Sequence, residues 1–107
     1  MARLDEAQVA QLLAPGRLVA STPRTLTTAK AVQAELKKVR ERGYAMVVDE
    51  FLMGEVALAA AVVDADGVPL GALHLSGSSS QWSGADYAKK FSPLLLNAIA
   101  QYERRNA

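Results

Sequence analysis

Two apolar runs, Val56–Val63 and Val68–Ser76, are separated by Asp64-Ala65-Asp66-Gly67. Short apolar runs joined by an Asp/Gly-rich turn predict an antiparallel hairpin. Side chains alternate across a strand, so Leu70, Ala72, His74 and Ser76 share one face of the second arm, while Gly71, Leu73 and Leu75 share the other. A turn that closes Val63 on Val68 without a bulge pairs Ala57 with His74, Ala59 with Ala72 and Ala61 with Leu70 on one face. On the opposite face it pairs Leu58 with Leu73 and Val56 with Leu75. That second face is aliphatic and suited to burial under helices. The first is floored with alanine and carries an imidazole and a hydroxyl, and small side chains leave volume that core packing otherwise fills. A bulge at Gly67 shifts the partners by one residue but keeps His74 and Ser76 on one face.

Around the hairpin the pattern turns helical. Asp5-Glu6-Ala7-Gln8 is a capping-box variant, and Val9, Leu12 and Leu13 follow at helical spacing until Pro15-Gly16, which predicts a short helix over about Asp5 to Ala14. Arg17 to Thr25 is a connector biased to extended shapes by Thr22-Pro23. Thr27 or Thr28 can cap the next helix, Lys30 to Arg42, whose apolar stripe is Val32, Leu36 and Val39. Its charged residues, Arg40 among them, are assigned to the wet faces, and Gly43 ends it. Ala45-Met46-Val47-Val48 reads as a strand, and Asp49 to Gly54 as a loop. Met46, Phe51, Leu52 and Met53 are either flexible pocket walls or core filling, with core filling the default expectation. Gly77 to Trp82 reads as a polar loop in which Trp82 is either an anchor or a cap. Ser83-Gly84-Ala85-Asp86 then opens the longest helix, which covers the aliphatic sheet face and is expected to kink or break near Phe91-Ser92, ahead of Pro93.

Composition narrows the functional classes. With 107 residues, half of them hydrophobic, the chain makes one domain with a modest core. Its 12 Lys and Arg against 11 Asp and Glu leave no field to draw in nucleic acid or an anionic membrane. The absence of cysteine and the single histidine exclude a disulfide framework, a thiolate site and an all-imidazole metal site within one chain. No apolar run is long enough to span a bilayer and no export signal opens the chain, so a soluble, cytoplasmic protein is expected.

Gly67, Gly71 and Gly77 punctuate a hairpin rather than a strand-to-helix turn, so no phosphate cradle is present. Asp64 and Asp66 suit local turn hydrogen bonds better than calcium. Asp49, Glu50 and Glu55 flank the hairpin entry as possible acid/base partners of His74, but no nucleophile, oxyanion donor set or metal accompanies them. His74 is either a half-buried imidazole satisfied by its surroundings or a ligand-binding group beside Ser76.

The ordered run TPRTLT, a helix ending VRERGYA, then DEFLMGEVALAAAVVDADGVPLGALHLSGS and a closing helix with SPLLLNAIA resembles the C-terminal part of the effector-binding domain of IclR-type transcription regulators. The resemblance implies an α/β (α+β) fold: an antiparallel sheet with helices packed on one face, about half of a GAF-like sensor domain. It also implies a dimeric or tetrameric bacterial or archaeal regulator that touches DNA only through a winged helix-turn-helix outside residues 1–107. The family strands not represented here would leave a sheet edge and an apolar surface exposed.

In members that sense small keto acids, an acidic residue, a cysteine and two serines hold the effector. These positions fall on Val47, Ala57, His74 and Ser76, of which Ser76 alone keeps the residue type. Val47 and Ala57 enlarge and dry the pocket, which points to a larger, more apolar ligand with a carboxylate or phenol. The expected partners are thus a small-molecule effector and further copies of the chain, with no cofactor and no membrane. A free-standing binding or dimerisation module, and a small enzyme using His74 with Glu50 or Glu55, are the alternatives.

Overall fold

The computed structural model describes residues 1–14, 16 and 18–105. Pro15, assigned to the end of the first helix, Arg17, at the start of the connector, and residues 106–107 of the closing helix lie outside the described residues. The elements run α1 (Glu6–Leu12), α2 (Ala29–Arg42), β1 (Ala45–Val48), β2 (Glu55–Val63), β3 (Pro69–Ser78) and α3 (Gly84–Arg105). The strands form one antiparallel sheet in the order β1-β2-β3.

Local chemistry sets the helix ends. Asp5 and Gln8 form the expected reciprocal box, with Gln8 N–H donating to Asp5 Oδ1 at 2.8 Å and Asp5 N–H donating to Gln8 Oε1 at 3.2 Å. Thr28, rather than Thr27, caps α2 by accepting from Ala31 N–H. Gly43 adopts φ 90° at the end of α2, a left-handed conformation that turns the chain directly into β1.

One face of the sheet carries the core. Val56 and Leu58 are fully buried and Ala60 nearly so, against Tyr87, Ala88, Leu95 and Ile99 of α3. Each large aliphatic side chain buried there contributes about 1.5–3 kcal/mol. Trp82 is an anchor: its ring meets Tyr87 and Phe91 edge-on, with centroids 5.9 and 5.3 Å away. A second, smaller cluster of Val9, Leu13 and Leu36 joins α1 to α2.

The structure corrects several expectations. The β2–β3 register lies two residues from the unbulged one, pairing Ala57 with Ser76, Ala59 with His74, Ala61 with Ala72 and Leu58 with Leu75. The shift has a local cause. Asp64 Oδ1 accepts from the N–H groups of both Asp66 and Val68 at 2.9 Å, which widens the turn, and the register shifts again between Val62 and Val63, leaving Leu70 as the extra residue. A displacement of two is even, so the face assignments of Ala72, His74 and Ser76 survive it, whereas Leu70, bulged out of the ladder, leaves the pairing with Ala61 and borders Tyr102 of α3.

Helix α3 runs through Pro93 without a break. Proline removes one hydrogen bond, but Tyr87 and Ala88 before it and Leu95 and Ile99 after it are buried in the same core, and tertiary packing overrides the local preference. Phe51, Leu52 and Met53 do not fill core: they are 73, 59 and 57 % exposed on the β1–β2 loop, where no element covers them. Met46 alone of that group packs against the core.

Candidate functional site

The face opposite α3 assembles the four residues singled out from the sequence. Val47 pairs with Ala57 across β1 and β2, and Ala57 pairs with Ser76 across β2 and β3, so these three form one row across the sheet. His74 occupies the next row, opposite Ala59, which is itself opposite Ala45. His74 and Ser76 are exposed, Val47 is half-buried and Ala57 is buried. Aliphatic groups therefore do not seal this side of the hairpin. Among the described residues nothing hydrogen-bonds the His74 ring, and neither Glu50 nor Glu55 pairs with it.

The row ends beside a polar clasp. Asp49 sits at φ 58°, an uncommon conformation for a residue with a side chain. Its Oδ1 accepts from Gly54 N–H at 2.7 Å and from the Ser79 hydroxyl at 3.0 Å. Its carbonyl accepts from the Thr22 hydroxyl, and the Glu50 carbonyl accepts from the Thr25 hydroxyl. The Ser21-Thr22-Pro23-Arg24-Thr25 connector is thereby fastened to the β1–β2 loop at the Ser76 end of the sheet. Glu50 lies close by, and its carboxyl is held above the usual range, first by burial and then by the like charge of Glu35, with an opposing contribution from the Val48 backbone.

At the other end of the open face is a groove of about 350 Å³. Ala59, Ala61 and Ala72 floor it, Ala45 lies at its edge, and Leu36, Val39 and Arg40 of α2 form a wall. Val47, Ala57, His74 and Ser76 do not line the groove itself. They adjoin it through Ala45 and Ala59, the residues that share a row with His74. Arg40 is exposed, as its place on the wet faces of α2 predicts, yet it also borders the groove, which sequence reasoning did not anticipate. The signal was present, since Leu36, Val39, Arg40 and Gly43 recur at the spacing of one helical face.

No group of three potential metal ligands occurs among the described residues, and none of their helices is long and apolar enough to cross a membrane. The outer edge of β3 pairs with no described strand, and Leu70 and Leu73 on it are 64 and 41 % exposed.

The sequence of these elements matches a family model described as the bacterial transcriptional regulator IclR C-terminal domain over residues 1–103. The chain belongs to this family. Its sequence is 30% identical over 98 residues to the Pca regulon regulatory protein of Pseudomonas putida, covering 92% of this chain and 34% of that protein. The chain thus spans about a third of the curated relative it matches. Among solved structures it resembles an IclR transcriptional regulator from Alicyclobacillus acidocaldarius, with a TM-score of 0.90, 26% identity and coverage of 100% of this chain and 42% of that one. It also resembles a double mutant of the PobR inducer-binding domain from Acinetobacter, in complex with 3-hydroxybenzoic acid. That match has a TM-score of 0.82 and 25% identity, covering 95% of this chain and 58% of that one. The three antiparallel strands and their helices are the mixed α/β arrangement of IclR C-terminal domains, the effector-binding domains of such regulators.

Proposed function

We propose that the chain is the ligand-sensing part of a bacterial transcription regulator and that its effector, a small aromatic or other organic acid, binds over the open sheet face at Val47, Ala57, His74 and Ser76. The observation that carries this reading is the cross-strand row Val47-Ala57-Ser76 with His74 beside it, exposed and next to an alanine-floored groove. A floor of methyl groups accommodates a flat ring. The imidazole and the hydroxyl can each donate or accept a hydrogen bond to fix its orientation. The 3-hydroxybenzoic acid bound to the PobR domain supports an aromatic acid as the class to test first.

In this reading residues 1–107 are one part of a sensor domain, and DNA is reached only through a winged-helix domain outside them. The regulator acts in the cytoplasm as a dimer or tetramer. Ligand binding favours one arrangement of the sensor, and that difference in affinity shifts DNA binding elsewhere in the assembly. Binding rather than catalysis is favoured by the family of regulator domains to which the chain belongs. Calorimetric titration with benzoate, 3-hydroxybenzoate and phenylacetate tests the reading. Saturable binding weakened by His74→Ala supports it, and unchanged affinity in that variant contradicts the role of the imidazole.

A further inference from the structure

We infer that Arg40 is the counter-charge for the effector's carboxylate, so that the ligand lies along the alanine floor with its acid group at α2 and its other polar end towards His74. This rests on the reading that the open face binds an effector and adds which end of the ligand goes where.

Arg40 is exposed, and it borders the groove from the solvated rim of its helix. It lies four residues after Leu36 and three before Gly43, and both border the groove with it. Arg3 and Arg40 are the charged side chains lining the groove, and no carboxylate lines it. A site with cationic lining and no carboxylate beside an apolar floor favours an anion over a cation or a neutral ligand.

The bonding of Arg40 leaves it free for this role. Its Nε donates to the Ala2 carbonyl at 3.0 Å, which fixes the plane of the group, and no described residue forms an ion pair with it. Arg42, two residues on, is committed: it is paired with Glu35 at 2.8 Å and lies over the Tyr44 ring at 5.0 Å. Glu6 borders the recess on the far side of Arg40 without pairing with it. With Nε engaged, the two terminal nitrogens of Arg40 carry no hydrogen bond to a described residue, and as an end-on fork they match a carboxylate. From Ala45 to His74 is two inter-strand spacings, about 10 Å. A single aromatic ring with a carboxylate at one end and a hydrogen-bonding group at the other fits that span.

The test compares benzoate, 3-hydroxybenzoate and phenylacetate with their uncharged amides on the wild-type chain, Arg40→Gln and Arg40→Lys, by calorimetry. The wild type is expected to prefer each bound acid over its amide by about 10- to 100-fold, as for a charge-assisted hydrogen bond. In Arg40→Gln the acid should fall to the level of the amide while the amide is unchanged, and Arg40→Lys should restore part of the preference. A preference that persists in Arg40→Gln, or equal losses for acid and amide, overturns the assignment and leaves the effector site itself standing. If no acid of the panel binds the wild type, the effector reading fails and this assignment fails with it. Should Arg40→Gln not fold, the Arg40 Nε–H resonance of the wild type decides: it must shift on saturation with the acid and not with the amide.

Discussion

His74 stands directly opposite Ala59 across the β2–β3 ladder, and Ala59 stands opposite Ala45 on β1. The imidazole therefore has two methyl groups beside it in its own row and the Ala57–Ser76 pair in the next. A ligand meeting this surface finds donors and acceptors at the β3 side, apolar carbon across the floor and the Arg40 guanidinium at the α2 side. Orientation comes from the polar groups at the two ends, and area from the floor.

Replacing His74 with Ala removes the hydrogen bond without touching the core, since the side chain is exposed and has no described partner. Affinity for a hydroxybenzoate should fall by about tenfold, in line with about 1–1.5 kcal/mol for one hydrogen bond. Stability should change by no more than about 0.5 kcal/mol. Calorimetry together with thermal denaturation checks both halves, and a large loss of stability would mean that the ring is structural.

Ala59→Leu is the complementary change, filling the floor while leaving the imidazole in place. Ala59 is half-buried on the side away from α3, so added methyl groups enter the groove rather than the core. Ligand affinity should drop more than about tenfold with stability within about 1 kcal/mol of wild type. Retained affinity in this variant would argue that the ligand lies elsewhere.

Gly77 illustrates a different constraint. A Cβ at this position would stand 2.8 Å from Cε1 of Tyr87, whose ring is 4 % exposed and wedged against Phe91 with centroids 4.7 Å apart. The ring has little room to yield, so Gly77→Ala should cost about 1–3 kcal/mol as overpacking. That corresponds to a fall in Tm of about 4–8 °C per kcal/mol for a domain of this size. Gly71→Ala is the control, because a Cβ there meets nothing within 4 Å. Equal melting temperatures for the two variants would refute the packing argument.

Much of this arrangement was legible in the sequence, and the failures have identifiable causes. Strand alternation alone places His74 and Ser76 on one face and Leu58 on the other, and no register error of even size can undo that. The cross-strand partners were not legible, because the bulge at Leu70 and the wide turn around Asp64 depend on side-chain hydrogen bonds that the pattern does not encode. Pro93 shows the same limit for helices, where buried neighbours on both sides outweigh one missing bond. Phe51, Leu52 and Met53 look like core by residue type, yet what covers a loop tip is a tertiary fact. Arg40 was legible as a solvated charge, and it is exposed; that it also borders the groove with Leu36 and Gly43 follows from its spacing, which was not used.

Stability should also report on Glu50. Burial, the largest cause, together with the nearby Glu35 charge, raises its folded-state pKa above the unfolded value. The folded protein then binds more protons than the unfolded chain at pH values just above the usual carboxylate range, so stability falls as pH rises through that window. Glu50→Gln should flatten this decline and be the more stable form at neutral pH. Denaturant titrations of both proteins across that range provide the check, and parallel pH profiles would rule the effect out.

The central claim, that the open sheet face is where the effector sits, is met most directly by mapping amide and methyl resonances during titration with 3-hydroxybenzoate or another acid that binds. The account predicts saturable shifts at Ala45, Ala57, Ala59, Ala72, His74 and Ser76, with Leu58, Leu95 and Ile99 little changed. Shifts confined to the α3 side, or to the Leu70–Tyr102 notch beyond the edge of β3, would contradict it.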